Sequence, residues 1–282
     1  MRTASVTVCS ALALIVLACA CARVEGTGRK QFLFTSPEQE NEMGAQAYTD
    51  AKGKEQPSTD AATVAYVQRI GQRLVPFAKP KDSTFAWEFS VFESETINAW
   101  CLPGGKVAIY TGILPFCENE AGLAAVMGHE IGHAIARHGG ERMSQSAVVG
   151  VAGETMGAIL QSQGLNPTAT NLSMAAFGGL SQVGVLLPFG RKQELEADYL
   201  GLKYMAQAGY DPHEAVKFWG RFGKLSSGTP AFLSTHPHSS DRAHELEDAM
   251  AEAMKLYEAA PQKFGAGEPV PAKYREMPKS AK

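Results

Sequence analysis

His129-Glu130-Ile131-Gly132-His133 sets two imidazoles four residues apart with a carboxylate between them. On a helix, positions i and i+4 share one face, so both rings can reach a single metal ion. Glu130 is three residues before His133 and lies near the same face, where it can meet a water without ligating the metal. A zinc ion held there lowers the pKa of its water to about 7. Glu130 would accept the water proton and pass it to the leaving amine. The metal would polarise the scissile carbonyl. The chemistry implied is hydrolysis of a peptide bond.

The surroundings fit a helix. Met127, Ile131 and Ile135 mark an apolar face. Gly128 and Gly132 each cost about 1 kcal/mol relative to Ala inside a helix, and close approach of another segment would offset that. Two histidines leave the site incomplete, because catalytic zinc takes three protein ligands and a water. Glu194 and Asp198 stand i and i+4 on one helix face. One can ligate zinc while the other holds a ligand imidazole by its second nitrogen. Alternatively, both belong to a solvated acidic face beside Lys192. The chemistry alone leaves these open. His138 turns away from the ligand face, and His213, His238 and His244 read as surface or cap residues.

The elements that position these groups follow from pattern. Ser36-Pro37-Glu38-Gln39 starts a helix running to about Ala51, and Asp60 opens a second with Val64, Val67, Ile70 and Leu74 at helical spacing. Phe85, Trp87, Phe89 and Val91 alternate as a strand. Ile97 to Leu102 and Lys106 to Tyr110 are two more strands, joined by the hairpin signal Pro103-Gly104-Gly105. Asn119 caps the helix of the metal motif, which ends near Gly139-Gly140. Between residues 143 and 190 Glu154 is the one charged residue before Arg191-side chemistry resumes. That stretch reads as a packed helix with a Gly-rich connection, or as a flap near the site. A helix from Arg191 stops at Gly209, Asp211-Pro212 starts another, and a charged helix spans about Ser240 to Tyr257.

The 282 residues are 45% hydrophobic and 20% charged, as in ordinary globular proteins. A net charge of −3 argues against nucleic acid as a partner. The N-terminus has Arg2, an apolar run from Val6 to Ala18, then Val16-Leu17-Ala18-Cys19. This reads as a secretory signal over residues 1–18. It also resembles a bacterial lipobox with Cys19 as the lipidated residue, and Cys21 is the weaker candidate. Residues 19–35 read as lipidated Cys and tether, and residues 261–282 as a disordered tail. In an oxidising compartment Cys101 and Cys117 can form a disulfide, or stay as buried thiols.

The motif set His-Glu-Ile-Gly-His, Glu194-Leu195-Glu196-Ala197-Asp198 and Thr235-His236-Pro237 resembles the HtpX-like and CAAX-prenyl-protease-like gluzincin metallopeptidases. Within that family it resembles the periplasmic BepA- and LoiP-like lipoprotein members and the OMA-type mitochondrial protease. The resemblance spans about Glu38 to Leu256 and includes Asn98-Ala99-Trp100-Cys101-Leu102-Pro103-Gly104-Gly105-Lys106. It implies an α+β fold, mostly helical, with a small mixed sheet whose edge lines the active site, over residues 36–260. It implies one zinc ion on His129, His133 and Glu194, with Asp198 behind a ligand His. His236 would donate to the oxyanion or take the fourth zinc position, and Arg242 would face the cleft. Asn98, Ala99 and Trp100 would form the strand on which an extended substrate pairs. The expected activity is endoproteolysis of misfolded or stalled envelope proteins in the periplasm, lipid-anchored to the outer membrane. The alternative is a largely latent protease serving as a chaperone or assembly module for outer-membrane proteins.

Overall fold

The computed structural model describes residues 21–81, 84–164, 166–181, 187–222, 231–236 and 240–276. In chain order these form β1 (Cys21–Arg23), β2 (Lys30–Phe32), α1 (Pro37–Lys54), α2 (Ala61–Leu74), β3 (Glu88–Phe92), β4 (Ala99–Leu102) and β5 (Lys106–Tyr110). There follow α3 (Leu114–Cys117), α4 (Glu120–Ile135), α5 (His138–Ser162), α6 (Pro167–Ser181), α7 (Leu187–Gln207), α8 (His213–Phe222), α9 (Ala231–Thr235) and α10 (Ser240–Ala259). The chain divides into two compact units, residues 1–36 with 137–190, and residues 37–136 with 191–282. The single domain expected over 36–260 is therefore interrupted. Among the described residues no helix is long and apolar enough to cross a membrane.

In the first unit, β1 and β2 pair antiparallel, and Gly26 and Gly28 hold positive φ in the turn between them. Val24 and Leu33 are buried. The segment expected as a tether is thus folded from Cys21 onward, whereas Cys19 and residues 1–18 lie outside the described residues. Arg29 forks onto Glu141 of α5 at 2.7 and 2.8 Å. The described part of the charge-poor stretch forms α5, α6 and the first residues of α7, with Phe177 and Met174 packing over Gly153. Val148, Val151, Met156, Ile159 and Leu172 stay exposed.

In the second unit, α4 is the centre: all 16 of its residues are buried. A helix apolar enough to be enclosed on every side belongs in a core. Asn119 Oδ1 accepts from the Gly122 amide at 2.9 Å, the cap expected from sequence. The helix ends earlier than expected, at Ile135. Arg137 adopts φ 57°, and Gly139 and Gly140 fall inside α5. The sheet is mixed, with order β3-β5-β4: β5 runs parallel to β3 and antiparallel to β4. Gly104 (φ 82°) and Gly105 (φ 81°) make the turn from β4 to β5, a backbone that other residues resist. That leaves β4 at an edge of this sheet, packed along α4.

Residues 261–276 are not a disordered tail. The Glu120 and Ala121 amides at the start of α4 donate to the carbonyls of Glu268 (2.8 Å) and Ala266 (3.0 Å). Helix-start amides have no partner within their own helix, so this segment satisfies them. Val270 and Tyr274 are buried in the same packing. Glu120 itself, 2% exposed, is gripped by Arg69 at 2.6 Å and Arg73 at 2.8 Å from α2. Of the two alternatives for Cys101 and Cys117, a disulfide or thiols, the structure shows thiols. Cys101 on β4 and Cys117 on α3 are both free thiols, and the Cys117 thiol donates to the Ile113 carbonyl of its own turn.

Candidate metal centre

α4 presents His129 and His133 one turn apart, with their Nε2 atoms 3.1 Å from each other. The backbone of α7 lies directly against this turn. A Cβ added to Gly128 would stand 2.8 Å from the Gly201 carbonyl oxygen, and one at Gly132 2.9 Å from that of Ala197. The two helix glycines are thus explained by close approach, which brings Glu194 and Asp198 of α7 to the histidines. His236, just past α9, completes the cluster. Its backbone amide donates to the Phe232 carbonyl, and the Phe232 amide donates to that of Ile97, just before β4.

Glu194 Oε2 lies 3.3 Å from His129 Nε2, and Oε1 lies 3.3 Å from His133 Nε2. His236 Nδ1 is 3.1 Å from both His129 Nε2 and Glu194 Oε2. Four buried residues therefore offer ligand atoms within 4.8 Å of one another: His129, His133, Glu194 and His236. Zinc bonds of about 2.0–2.1 Å in a tetrahedron set ligand atoms roughly 3.3 Å apart, close to the spacings here. Charge agrees with geometry. Glu130, Glu194 and Asp198 against Arg242, all buried, leave a net −2 when the imidazoles are neutral, and a buried charge of that size calls for a counter-ion. The residues fit a zinc ion.

The groups behind the ligands are equally ordered. Asp198 Oδ1 lies 2.8 Å from His129 Nδ1. Arg242, 1% exposed at the start of α10, donates to both oxygens of Asp198, Nε at 2.7 Å and Nη2 at 2.8 Å. Burial opposes the charge on Asp198, but Arg242 and His129 hold its carboxyl below the usual range. Burial likewise opposes the charge on Glu194, and the surrounding imidazoles drive its pKa down. Burial would depress His129, yet Asp198 outweighs it and lifts the imidazole to about 9. Arg242 thus stands behind Asp198 rather than open to the cleft, with Nη1 3.4 Å from Glu194 Oε2.

Glu130 is 3% exposed and lies beside the cluster. Its Oε1 is 3.3 Å from His236 Nε2. His236 therefore has one nitrogen among the ligands and the other toward the base. On β4, the pleat separates the predicted substrate residues. Ala99 is buried, and Cys101, on its side of the strand, lies within electrostatic reach of Glu130, adding to the burial that raises its thiol pKa. Trp100 turns to the opposite side, against Tyr48 and Phe92. Asn98 receives the Tyr110 amide on its carbonyl.

His213 and His244 are exposed, as expected, while His138 is fully buried and His238 lies outside the described residues. Sequence reasoning missed two site residues, Trp219 of α8 and Phe232 of α9. The Trp219 ring stacks on Phe232 at 5.8 Å, meets His129 edge-on at 5.5 Å, and lies under the Arg242 guanidinium at 3.8 Å. The apolar spacing of Phe218, Trp219 and Phe222 signals a buried helix face but not a cation above it.

Residues 61–250 match the model of Peptidase family M48. The chain belongs to that family. It is 36% identical over 234 residues to the mitochondrial metalloendopeptidase OMA1 of Schizosaccharomyces pombe, covering 80% of this chain and 66% of the relative. It is 34% identical over 233 residues to OMA1 of Arabidopsis thaliana, covering 77% and 45%. With the beta-barrel assembly-enhancing protease of Escherichia coli it shares 30% over 227 residues, covering 77% and 44%. The chain thus spans between about half and two thirds of these relatives' lengths. M48 membership and the four buried donors agree on the site of a zinc metallopeptidase.

Proposed function

We propose that this M48 chain is a zinc-dependent endopeptidase of the cell envelope, cleaving misfolded or stalled envelope proteins. The observation that carries the proposal is the convergence of His129, His133 and Glu194 with Glu130 beside them. When bound, zinc supplies Lewis acidity toward the scissile carbonyl and acidifies water. Glu130 holds the proton taken from the attacking water and returns it to the leaving amine. Asp198 keeps the His129 proton on Nδ1, so that Nε2 faces the metal. An extended, unfolded peptide adds to the β4 edge through main-chain hydrogen bonds, so sequence preference is loose. The lipobox-like Val16-Leu17-Ala18-Cys19 supports lipid anchoring at Cys19 and a periplasmic site at the outer membrane. The beta-barrel assembly-enhancing relatives support unfolded or misassembled outer-membrane proteins and their assembly machinery as partners.

A second role rests on His236. With Nδ1 among the donors, it would serve as a fourth ligand and hold the protease latent, leaving a chaperone or assembly-binding function. Metal analysis and cleavage of unfolded casein, with and without a chelator, test the first role against Glu130→Gln. That variant is expected to bind zinc and cut nothing. Unchanged cleavage by it would remove Glu130 from the mechanism. Casein crosslinking without turnover, even in His236→Ala, would favour the binding role.

A further inference from the structure

The Arg242–Asp198–His129 chain has a floor. Trp219, 3% exposed, touches both of its ends, the Arg242 guanidinium at 3.8 Å above the ring and the His129 imidazole at 5.5 Å edge-on. A guanidinium over an indole is held by the negative face of the ring, and more strongly when water is excluded. Its planar fork matches a carboxylate only when both planes agree. Arg242 meets Asp198 in that way, with two short bonds. Asp198 in turn fixes the orientation of His129.

Trp219 offers no metal-ligating atom and no proton to the reaction. We propose that Trp219 is a positioning residue that sets the affinity of the centre for zinc. Its ring keeps the Arg242 fork in the plane of Asp198, and Asp198 then keeps His129 Nε2 aimed at the metal. This rests on the zinc reading of the site and extends it to a residue on α8. Removing a partner that orients a metal ligand typically costs about 10–100-fold in affinity. The phenyl ring of Trp219→Phe retains an aromatic face, whereas Trp219→Leu retains only bulk.

The test is zinc affinity of the full chain, measured by competition with a chromophoric chelator, alongside thermal melts of the zinc-free protein. Trp219→Leu should bind zinc about 10–100-fold more weakly, and Trp219→Phe should recover most of that loss. In an Arg242→Gln background, Trp219→Leu should cost nothing further, because the ring then has no cation to hold. A leucine variant that melts lower but binds zinc as tightly as the parent would overturn the proposal, as would equal losses for Phe and Leu or additive losses in the double variant. If the leucine variant does not fold, the phenylalanine variant carries the same cycle, with a few-fold loss that Arg242→Gln must abolish. A parent chain that takes up no zinc at all refutes the zinc reading itself, a result separate from any difference between variants.

Discussion

Gly201 of α7 packs against the His129 peptide so closely that a Cβ on Gly201 would stand 2.6 Å from the His129 amide nitrogen. Backbone cannot swing aside as a side chain can. Gly201→Ala must therefore part α4 from α7, and with them Glu194 from the histidines. Overpacking of this kind costs about 1–3 kcal/mol. The expected outcome is a lower melting temperature with a disproportionate loss of zinc affinity. Gly139→Ala, with open space at its Cβ position, is the control and should leave affinity unchanged.

Zinc should stabilise the fold strongly, because its ligands come from three separate segments that only the folded chain assembles. At free zinc about a thousand times Kd, one site adds roughly 4 kcal/mol. Thermal melts with zinc and with chelator should differ accordingly. The difference should vanish in a variant lacking both His129 and His133.

Truncation after Ala260 should destabilise the unit that holds the metal. It removes the carbonyls of Ala266 and Glu268 from the start of α4 and exposes what Val270 and Tyr274 cover. Orphaned buried amides cost about 1–3 kcal/mol each. Urea denaturation should show a lower midpoint than for the full chain, and hydrogen exchange should quicken at Glu120 and Ala121.

Cys101 and Cys117 should both titrate as thiols. Burial raises both, Cys117 beyond the ordinary thiol range and Cys101 with a contribution from Glu130. A thiol reagent should label Cys117 only in denaturant, and half-buried Cys101 slowly in the folded chain. Reductant should leave the melting temperature unchanged.

Local chemistry made part of this legible in advance. The i, i+4 spacing of His129 and His133 needs only a helix, and the positive-φ turn at Gly104-Gly105 needs only its glycines. The glycines at 128 and 132 correctly signalled a close neighbour, although their spacing does not say which segment it is. Choosing between Glu194 and Asp198 required the resemblance, because both sit on one face of α7 and the depth of each is set by packing. Contacts distant in sequence were invisible. Trp219 meets Arg242 across 23 residues of chain that carry no shared pattern, and Ala266 and Glu268 come from a stretch whose Pro, Gly and Lys content resembles disorder. The same holds for β1 and β2, which are three residues each and too short for periodicity to register.

The cap on α4 has a temporal meaning. The first histidines emerge at residue 129, Glu194 follows, then His236 and Arg242, and the carbonyls that finish the first turn of α4 come later still, at 266 and 268. Contacts closing over such loops form slowly. A chain still being made therefore carries His129 and His133 before the segments that complete their surroundings, and the first turn of α4 is finished only once residues 266 and 268 have been delivered.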